Sequence, residues 1–344
     1  MRFRFSLLSI MVVCLAATSG FSQDLGKAKN SDEAVAALEK MGVFVSKNFL
    51  TEQVESVSFR EMRFAPNDLS GLKHLSGLKE VSFEEVALSG RDLKALAEAK
   101  SIREISFTEV AVTDKDLVPL ASLKDLMSLY FYECPIQGRT LGKFPNVERL
   151  HVQLLSFDDA GMKQIGSLKK VWSLTLAETK LTNRGATNLE GLKDLQLLTL
   201  SDNNISDPAI EALKGLEKLS SLSVNNTNVG DKGLQALTGL KEIDLISAES
   251  TKITDKGLDA LLELPKLRYL YLDNNNITDE GLKTLCKIKT LDNLQLDDTK
   301  VTDAGLPAVL DLPELTILMV QRTGVTKAGA DELWSKKMNL RITY

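Results

Sequence analysis

Apolar and polar positions recur along most of this 344-residue chain with a period of 24 residues. The segments 243–266, 267–290 and 291–314 align without gaps, and apolar residues recur at unit positions 1, 4, 6, 11, 16, 19 and 22. The same frame begins at nine further residues, which are Val54, Leu78, Ile102, Leu126, Val147, Val171, Leu195, Leu219 and Leu315. The stretch 54–338 therefore contains twelve units, all of 24 residues except 126–146, which has 21. Self-similarity at such a period indicates a repeat architecture.

Within each unit the spacing of the apolar residues changes part of the way along. Positions 3 to 7 alternate between polar and apolar residues, as a strand with one buried face does. Positions 16, 19 and 22 are spaced by three, which is typical of a short helix. Because one strand and one short helix cannot bury their apolar residues alone, neighbouring units are expected to stack. The pattern predicts a parallel sheet on one face and helices on the other.

Recurring polar residues fit this scheme. Thr at position 12 is predicted to cap the helix N-terminus in three units (Thr254, Thr278, Thr302). The following Asp at position 13 is expected at the positive end of the helix dipole. Gly at position 15, present in seven units, predicts a close backbone approach. From Thr179 onward position 9 is always Thr or Asn, so its side chain is predicted to satisfy backbone groups in a buried turn.

The unit pattern L-x-x-L-x-L-x-x-T/N-x-I-T-D-x-G-L-x-x-L-x-x-L resembles the leucine-rich repeat family, and it is most similar to exported bacterial members whose units carry I-T-D-x-G-L. The resemblance covers most of the chain. It implies an α/β leucine-rich-repeat solenoid, with a curved parallel sheet on the concave face and short helices on the convex face. It indicates little about function, since one fold hosts many functions.

The two ends of the chain predict a leader and two caps. Residues 1–22 have a short positive start, an apolar stretch and small residues for cleavage, which is the layout of a secretory signal peptide. Residues 23–53 are predicted to form an N-terminal capping segment with a helix at about 31–41, and 339–344 a C-terminal cap strand. No later stretch is long and apolar enough for a transmembrane segment. The mature protein is expected to be exported, to the periplasm, the cell surface or the medium.

Composition argues against several classes of function. The net charge of −5 gives no reason to expect nucleic-acid binding. Only two histidines are present, and no zinc-protease, phosphate-loop or nucleophile-elbow motif occurs. We therefore expect no catalytic residues, no metal and no cofactor. His151 lies on the predicted concave face without an evident nucleophile, so an enzyme centred on it is the least favoured alternative.

Charge is concentrated on the predicted concave face. Positions 3, 5, 7 and 8 of the twelve units carry 13 acidic and 3 basic residues. Such a surface would steer a basic partner towards it, so a protein partner is our first expectation. A solvated face that only keeps the protein soluble is equally compatible. Clustered carboxylates such as Asp273, Asp297 and Asp298 leave a calcium-dependent or glycan-binding surface protein as an alternative.

Two groups of aromatic residues interrupt the acidic face. Around the short unit lie Tyr130, Tyr132, His151 and Leu154, with Trp172 at the edge. A second, weaker group contains Tyr269 and Tyr271. Aromatic and apolar residues on an exposed sheet resemble an interface hot spot, although a local packing defect is the alternative. The candidate partner-binding residues are these seven together with Glu133, Glu178, Asp202, Asp273, Asp297 and Asp298. The sequence leaves the partner and the oligomeric state open.

Overall fold

A computed structural model of the chain describes residues 24–64 and 68–344. The predicted signal peptide lies outside the described residues. These residues form a 14-stranded sheet in which the spatial order of the strands follows their order in the sequence. Strand β1 is antiparallel to β2, and all later neighbours are parallel. The predicted leucine-rich-repeat solenoid is confirmed.

The strands become shorter along the chain. They are β1 (Phe44–Lys47), β2 (Val54–Arg60), β3 (Glu80–Glu84), β4 (Glu104–Thr108), β5 (Ser128–Tyr132), β6 (Arg149–Gln153), β7 (Ser173–Ala177), β8 (Leu197–Thr199), β9 (Ser221–Ser223), β10 (Leu245–Ser247), β11 (Tyr269–Tyr271), β12 (Asn293–Gln295), β13 (Ile317–Met319) and β14 (Arg341–Thr343). Strands β3 to β7 thus have five residues, whereas β8 to β14 have three.

Helices and 3₁₀ turns connect the strands and pack against one another on the far side of the core. The α-helices are α1 (Ser31–Lys40), α2 (Gly90–Leu96), α3 (Asp114–Leu117), α4 (Asp159–Ile165), α5 (Asn183–Ala186), α6 (Asp207–Glu211), α7 (Asp231–Ala236), α8 (Asp279–Leu285) and α9 (Lys327–Lys336). The 3₁₀ turns are Leu25–Lys27, Asp68–His74, Val118–Ser122, Leu141–Lys143, Thr187–Gly191, Asp255–Glu263 and Leu306–Asp311. Among the described residues, none of the helices has the length and apolarity needed to cross a membrane.

The core is one continuous stack between sheet and helices. Position 6 of each unit points into it, and in the first four units this residue is phenylalanine. Neighbouring rings are stacked with centroids 5.4, 5.7 and 5.4 Å apart, from Phe59 through Phe83 and Phe107 to Phe131. Offset aromatic stacking adds to the burial of large apolar surfaces. In later units aliphatic residues such as Leu200 and Leu272 occupy the same position.

Position 8 of every unit adopts a left-handed backbone conformation. Its φ lies between 49° and 59° in twelve successive units, in Glu61, Glu85, Glu109, Glu133, Leu154, Glu178, Asp202, Asn226, Ser250, Asn274, Asp298 and Arg322. The turn leaves the strand here, and the position 8 N–H donates to the carbonyl at position 7 of the next unit, as from Glu61 to Glu84 at 3.0 Å. A side chain other than Gly in this conformation costs about 1 kcal/mol. We call these residues the rim column.

From Thr179 onward the polar residue at position 9 bonds backbone groups of the turn, as predicted, and the asparagines at this position also connect successive turns. Asn203 is the clearest case, because its amide bonds five backbone groups at 2.6–3.1 Å, belonging to Leu176, Leu200, Ser201, Thr179 and Leu181. Asn275 donates to three carbonyls in the same way and accepts from the Thr251 hydroxyl at 2.8 Å. These amides satisfy polar groups that no water reaches.

The threonine and aspartate of the I-T-D-x-G-L signature also connect neighbouring units. Thr278 caps its own helix by accepting the N–H of Glu280 at 3.3 Å, so its predicted capping role is confirmed. The same Thr278 donates its N–H and hydroxyl to Asp255 of the preceding unit, at 2.9 and 2.6 Å. Thr302 with Asp279, and Thr326 with Asp303, repeat this arrangement. The aspartate was expected at the helix dipole, but its direct partners lie in the next unit.

The glycine at position 15 leaves space for that aspartate. A Cβ atom on Gly281 would lie 2.1 Å from the Oδ1 of Asp255, and one on Gly257 would lie 2.5 Å from that of Asp231. The predicted close approach therefore involves the carboxylate of the neighbouring unit as well as backbone. We call these contacts the aspartate ladder. The aspartate accepts from position 12 of the next unit, where threonine adds a hydroxyl donor, and the bond from Gly230 to Asp207 forms without it.

Candidate binding surface

The concave face, which carries positions 3, 5 and 7, brings the short unit and its successor together at a tyrosine–histidine patch. Tyr130 on β5 and His151 on β6 are register partners, and their ring centroids lie 6.0 Å apart. Tyr132 lies two residues further along β5, opposite Gln153. All three predicted residues are half-buried, so part of each ring remains open to solvent. Strand pairing alone places these rings side by side.

A charged pair borders the patch at position 3. The Arg149 guanidinium spans β5 to reach Glu104 on β4 at 3.2 Å, and its Nε donates to the Ser128 hydroxyl at 2.9 Å. The small serine between them leaves room for this contact. Burial and the neighbouring Glu80 raise the pKa of Glu104, while Arg149 opposes this shift. The pair therefore forms a fixed polar border beside Tyr130.

The protonation of the patch is set mainly by burial. Burial lowers the pKa of His151 below its ordinary value, although a hydrogen bond with Gln153 acts in the opposite direction. Burial and then Glu104 raise the pKa of Tyr130. Both side chains are consequently neutral at pH 7. The patch offers aromatic surface and neutral hydrogen-bonding groups to a ligand.

Two residues predicted to join this group lie away from it. Leu154 follows β6 in the rim column, and Trp172 precedes β7 at the opposite end of the strands. From His151 to Leu154 the chain advances by three residues, or about 10 Å. Both side chains are half-buried. They flank the patch at opposite edges of the sheet and do not form one cluster with it.

The candidate acids divide into two structural groups. Glu133, Glu178, Asp202 and Asp298 belong to the rim column and are exposed. Asp202 accepts from the Asn226 amide at 2.8 Å, and Asp298 forms an ion pair with Arg322. For Glu133, no ion pair is recorded within residues 24–64 and 68–344. Seven of the thirteen acids counted on this face lie in the rim column, so its charge is concentrated along one edge of the sheet.

Asp273 and Asp297, at position 7, are part of the scaffold. The Oδ1 of Asp273 accepts the N–H of Asp297 at 2.6 Å, and the Oδ1 of Asp297 accepts that of Gln321 at the same distance. Asp297 is buried. Burial, with Glu249 and Asp297 nearby, raises the pKa of Asp273 to about 6. Their side chains replace the main-chain pairing that five-residue strands provide at this position.

The second aromatic pair, Tyr269 and Tyr271, lies on β11 and is half-buried. The Arg268 guanidinium lies 5.2 Å from the ring centroid of Tyr269, within the range of a cation–π contact. Six strand spacings, or about 29 Å, separate β11 from β5. The two aromatic groups are therefore distinct surfaces, and the structure does not combine them into one site.

Two further kinds of chemistry would depend on metal-ligating side chains and on thiols. Within the described parts of the chain, no group of three His, Cys, Asp or Glu side chains is arranged to hold a metal ion. Cys134 and Cys286 are buried free thiols. Burial raises the pKa of Cys286 to about 12, which keeps it protonated and unreactive. The described residues near His151 are tyrosine, threonine and glutamine on the paired strands.

Comparison with known proteins identifies the fold. A family model described as Leucine Rich repeat matches residues 192–214, 215–237 and 263–286, all in units with the polar residue at position 9. These three matches, together with the stacked units described above, show a leucine-rich-repeat fold. None of the curated proteins compared with it matches.

Solved structures agree on the fold. An internalin (inlF) from Listeria monocytogenes superposes with a TM-score of 0.64 at 19% identity, over 93% of this chain and 94% of that one. An internalin C2 from the same organism gives a TM-score of 0.43 at 22% identity, over 68% and 84% of the two chains. The first similarity shows a shared solenoid fold along nearly the whole chain.

Sequence reasoning missed the Glu104–Arg149 pair and the rim column. The repeat frame contained a signal for the pair, since both residues occupy position 3 in units separated by one strand with a serine at that position. The left-handed conformation had no such signal. Glutamate has no special preference for positive φ, so its recurrence at position 8 did not reveal the turn.

Proposed function

We propose that this chain is an exported, non-catalytic protein that binds a protein partner through its concave face, at the tyrosine–histidine patch. The observation that carries the proposal is the contact between Tyr130 and His151 on an open sheet surface, 6.0 Å between ring centroids. Strand pairing fixes both rings, so little side-chain entropy is lost when a partner covers them. Rigid aromatic anchors of this kind contribute much of the free energy of protein interfaces.

The borders of the patch support a partner with basic side chains. On one side lies Glu104, already paired with Arg149, and on the other the rim column presents Glu109 and Glu133 to solvent. Exposed carboxylates at an interface edge mainly increase the association rate and select against acidic partners. The partner therefore carries apolar or aromatic residues at its centre and lysine or arginine towards the rim column.

Export and a bacterial origin of the chain are part of the same proposal. The leader-like composition of residues 1–22 supports export. The I-T-D-x-G-L units and the fold shared with a Listeria internalin support a bacterial surface or secreted protein. Among the described residues the side-chain partner of His151 is Gln153 and no carboxylate bonds the imidazole, which supports a non-catalytic role. The surface is used for recognition.

Site-specific photo-crosslinking tests this proposal. A benzoylphenylalanine probe replaces Tyr132 on the concave face in one protein and the exposed Leu262 on the convex face in another. In cells that express the protein natively, we expect a discrete cross-linked band from position 132 and none from position 262. Adding Tyr130→Ala should reduce the band about tenfold or more, since it removes an aromatic anchor. Equal cross-linking from both positions would refute a concave binding site.

A further inference from the structure

The turn between β1 and β2 is held by its own hydrogen bonds. The Oδ1 of Asn48 accepts the N–H groups of Leu50 and Thr51 at 3.0 and 3.1 Å. The backbone N–H of Asn48 donates to Gln53 at 2.8 Å, and the N–H of Glu52 donates back to Asn48 at 2.9 Å. This asparagine-centred turn has a defined shape. Its conformation therefore fixes the direction of the residues at its tip.

Two large apolar side chains form that tip. Phe49 is 91% exposed and Leu50 is 87% exposed, more than any other large apolar residue in the described chain. Isolated exposed apolar residues are ordinary, but two adjacent ones at the end of a fixed turn form a protruding apolar surface. Among the other exposed large apolar residues, Met338 reaches 73%, Phe44 57% and Trp334 51%, and none of these is adjacent in sequence to another. Tyr344 is 45% exposed, and Val118, Leu197, Leu262 and Leu310 are 39–41% exposed. The tip is thus a distinct feature of the N-terminal cap.

A second copy of the chain is a poor match for this tip. Pairing between copies would use the free edge of β1, which has only four residues and ends in the exposed Lys47. Short edge strands and lysine discourage such pairing. The tip itself protrudes from the turn. A deformable lipid surface can accommodate two protruding side chains better than a flat protein surface can.

The position of the tip in the chain favours a lipid surface. The cap is joined to the leader-like residues 1–22, whose apolar stretch would lie in a bilayer during export. The first described residue, Asp24, is bonded to Lys40 at the end of α1, and α1 packs against β1. Because the leader would be cleaved at the membrane, the hairpin would lie near the new N-terminus, beside the membrane across which the chain is exported. This step rests on the export proposed above.

We propose that the turn 48–53 inserts Phe49 and Leu50 into the surface of a lipid bilayer and holds the N-terminal end of the solenoid there. Apolar side chains of a peripheral protein reach about 5–10 Å into the headgroup and acyl boundary. Lys47 lies where its ammonium can remain among the headgroups. No span is needed, and the concave face stays in water. The attachment is weak and reversible, because only two side chains enter.

A fluorescent probe at the tip tests the proposal in the whole chain. Leu50→Cys is labelled with an environment-sensitive fluorophore, and Gln235→Cys on the convex helix α7 carries the same label as a control. Cys134 and Cys286 are buried and do not compete for the label, and Cys14 is removed by Cys14→Ser in both proteins. With phosphatidylcholine vesicles we expect a blue shift and brightening at position 50 only. If residues 1–22 alone bind the vesicles, neither label will shift, which would overturn the proposal.

Paired variants provide an independent measurement. Phe49→Ser combined with Leu50→Ser should lower vesicle partitioning about tenfold, measured by co-sedimentation in protein lacking the label. The matched control, Leu262→Ser with Leu310→Ser, removes two exposed leucines from the convex side and should leave partitioning unchanged. Equal losses would mean non-specific adsorption, and a dimer that the tip variant dissociates would mean self-association. Either result would refute membrane insertion, whereas cross-linking at position 132 would be unaffected.

Discussion

The second unit of the solenoid and the late units place the same two residue types, glycine and aspartate, at exchanged positions. In unit 78–101, Gly90 is at position 13 and Asp92 at position 15, and Asp92 accepts the N–H of Ser89 in its own unit at 2.9 Å. In unit 267–290, Asp279 is at position 13 and Gly281 at position 15, and Asp279 bonds Thr302 of the next unit. One arrangement caps a helix locally, and the other connects neighbouring units.

The strands and turns of the early units also differ from those of the late units. Early units have five-residue strands, stacked phenylalanines and an apolar residue at position 9, such as Val86 or Val110. Late units have three-residue strands, and side chains at positions 7, 9 and 13 bond the backbone of an adjacent unit. In a solenoid, stability is the sum of terms within units and terms between them. Early units thus depend more on apolar terms and late units more on polar terms between units, although Asp114 in unit 102–125 already accepts N–H groups of Gln137 and Thr140 in the next unit.

The largest expected effect comes from removing a buried amide of the late units. Asn203→Val removes a partner from five buried backbone groups, and the three at Leu200, Thr179 and Leu181 are left with none. The carbonyls of Ser201 and Leu176 keep one other donor each. Each unpaired group costs about 1 kcal/mol or more. We expect a loss of about 4 kcal/mol in the free energy of unfolding, measured by urea titration followed by circular dichroism. Thr227→Val removes a hydroxyl that donates to Val224, so it should cost about 1 kcal/mol. Similar losses for the two variants would contradict the role given to the amide.

A smaller effect should come from filling the space beside the aspartate ladder. Gly281→Ala places Cβ against Asp255 and should cost about 2 kcal/mol through overpacking. Asp255→Ala alone loses the bonds to Thr278 and should cost about 1–2 kcal/mol. Asp255→Ala removes the carboxylate that the new Cβ atom would contact. The double variant should therefore lose less stability than the two single losses added together, by about 1 kcal/mol. Strictly additive values would mean that glycine and aspartate are independent.

The early units supply the control for this experiment. A Cβ atom on Gly90 would lie 2.9 Å from the Oδ1 of Asp116, which is the end of a flexible side chain. Alanine also favours the helical conformation at this position. Gly90→Ala should therefore change stability by less than about 1 kcal/mol. A loss as large as that of Gly281→Ala would remove the difference between early and late units.

The repeat frame predicted the fold from the sequence because the apolar positions recur in register through twelve units. It also placed Tyr130 and His151 on one face, since both occupy position 5 of adjacent units. It could not show which partner a polar side chain takes. Asp279 is two residues from Gly281 in sequence, but its bonds reach Thr302, 23 residues later. The exposure of Phe49 and Leu50 depends on how the cap folds, and no repeat constrains that segment.

Amide hydrogen exchange should distinguish a loss of structure within one unit from a loss that extends to the next unit. The free-energy changes expected here are smaller than those above. Asp92→Ala removes a capping box and should cost about 1 kcal/mol, with faster exchange confined to α2 and its own unit. Asp279→Ala should cost about as much but increase exchange on both sides of the broken bond, in α8 and around Thr302. If faster exchange extends to the neighbouring unit in both variants, or in neither, then it is wrong that Asp92 acts within its unit while Asp279 acts between units.

The smallest expected effect is a pH dependence that arises from the late side-chain bonds at position 7. Burial, Glu249 and Asp297 raise the pKa of Asp273 to about 6 in the folded chain, whereas an unfolded aspartate titrates near about 3.9. Between these two pKa values the folded state binds more protons than the unfolded state does. The free energy of unfolding therefore decreases as the pH rises from about 4 to about 6. Asp273→Asn retains an acceptor for Asp297 but removes the charge, and it should make the urea midpoint less dependent on pH in this window.

Asp298 in the same unit as Asp297 offers a control of opposite sign. Its hydrogen bond with Arg322 lowers the pKa of its carboxyl, so the stability it contributes is present above about pH 4 and is lost as the pH falls further. Asp298→Asn should therefore lower the urea midpoint slightly at pH 7 and leave the slope between pH 4 and 6 unchanged. Early units pair position 7 through the main chain, as Glu84 does with Thr108, and so have no such ionisable bond. If Asp273→Asn leaves the slope between pH 4 and 6 intact, the carboxylate contributes only as a hydrogen-bond acceptor, and the late units differ from the early ones in geometry but not in charge.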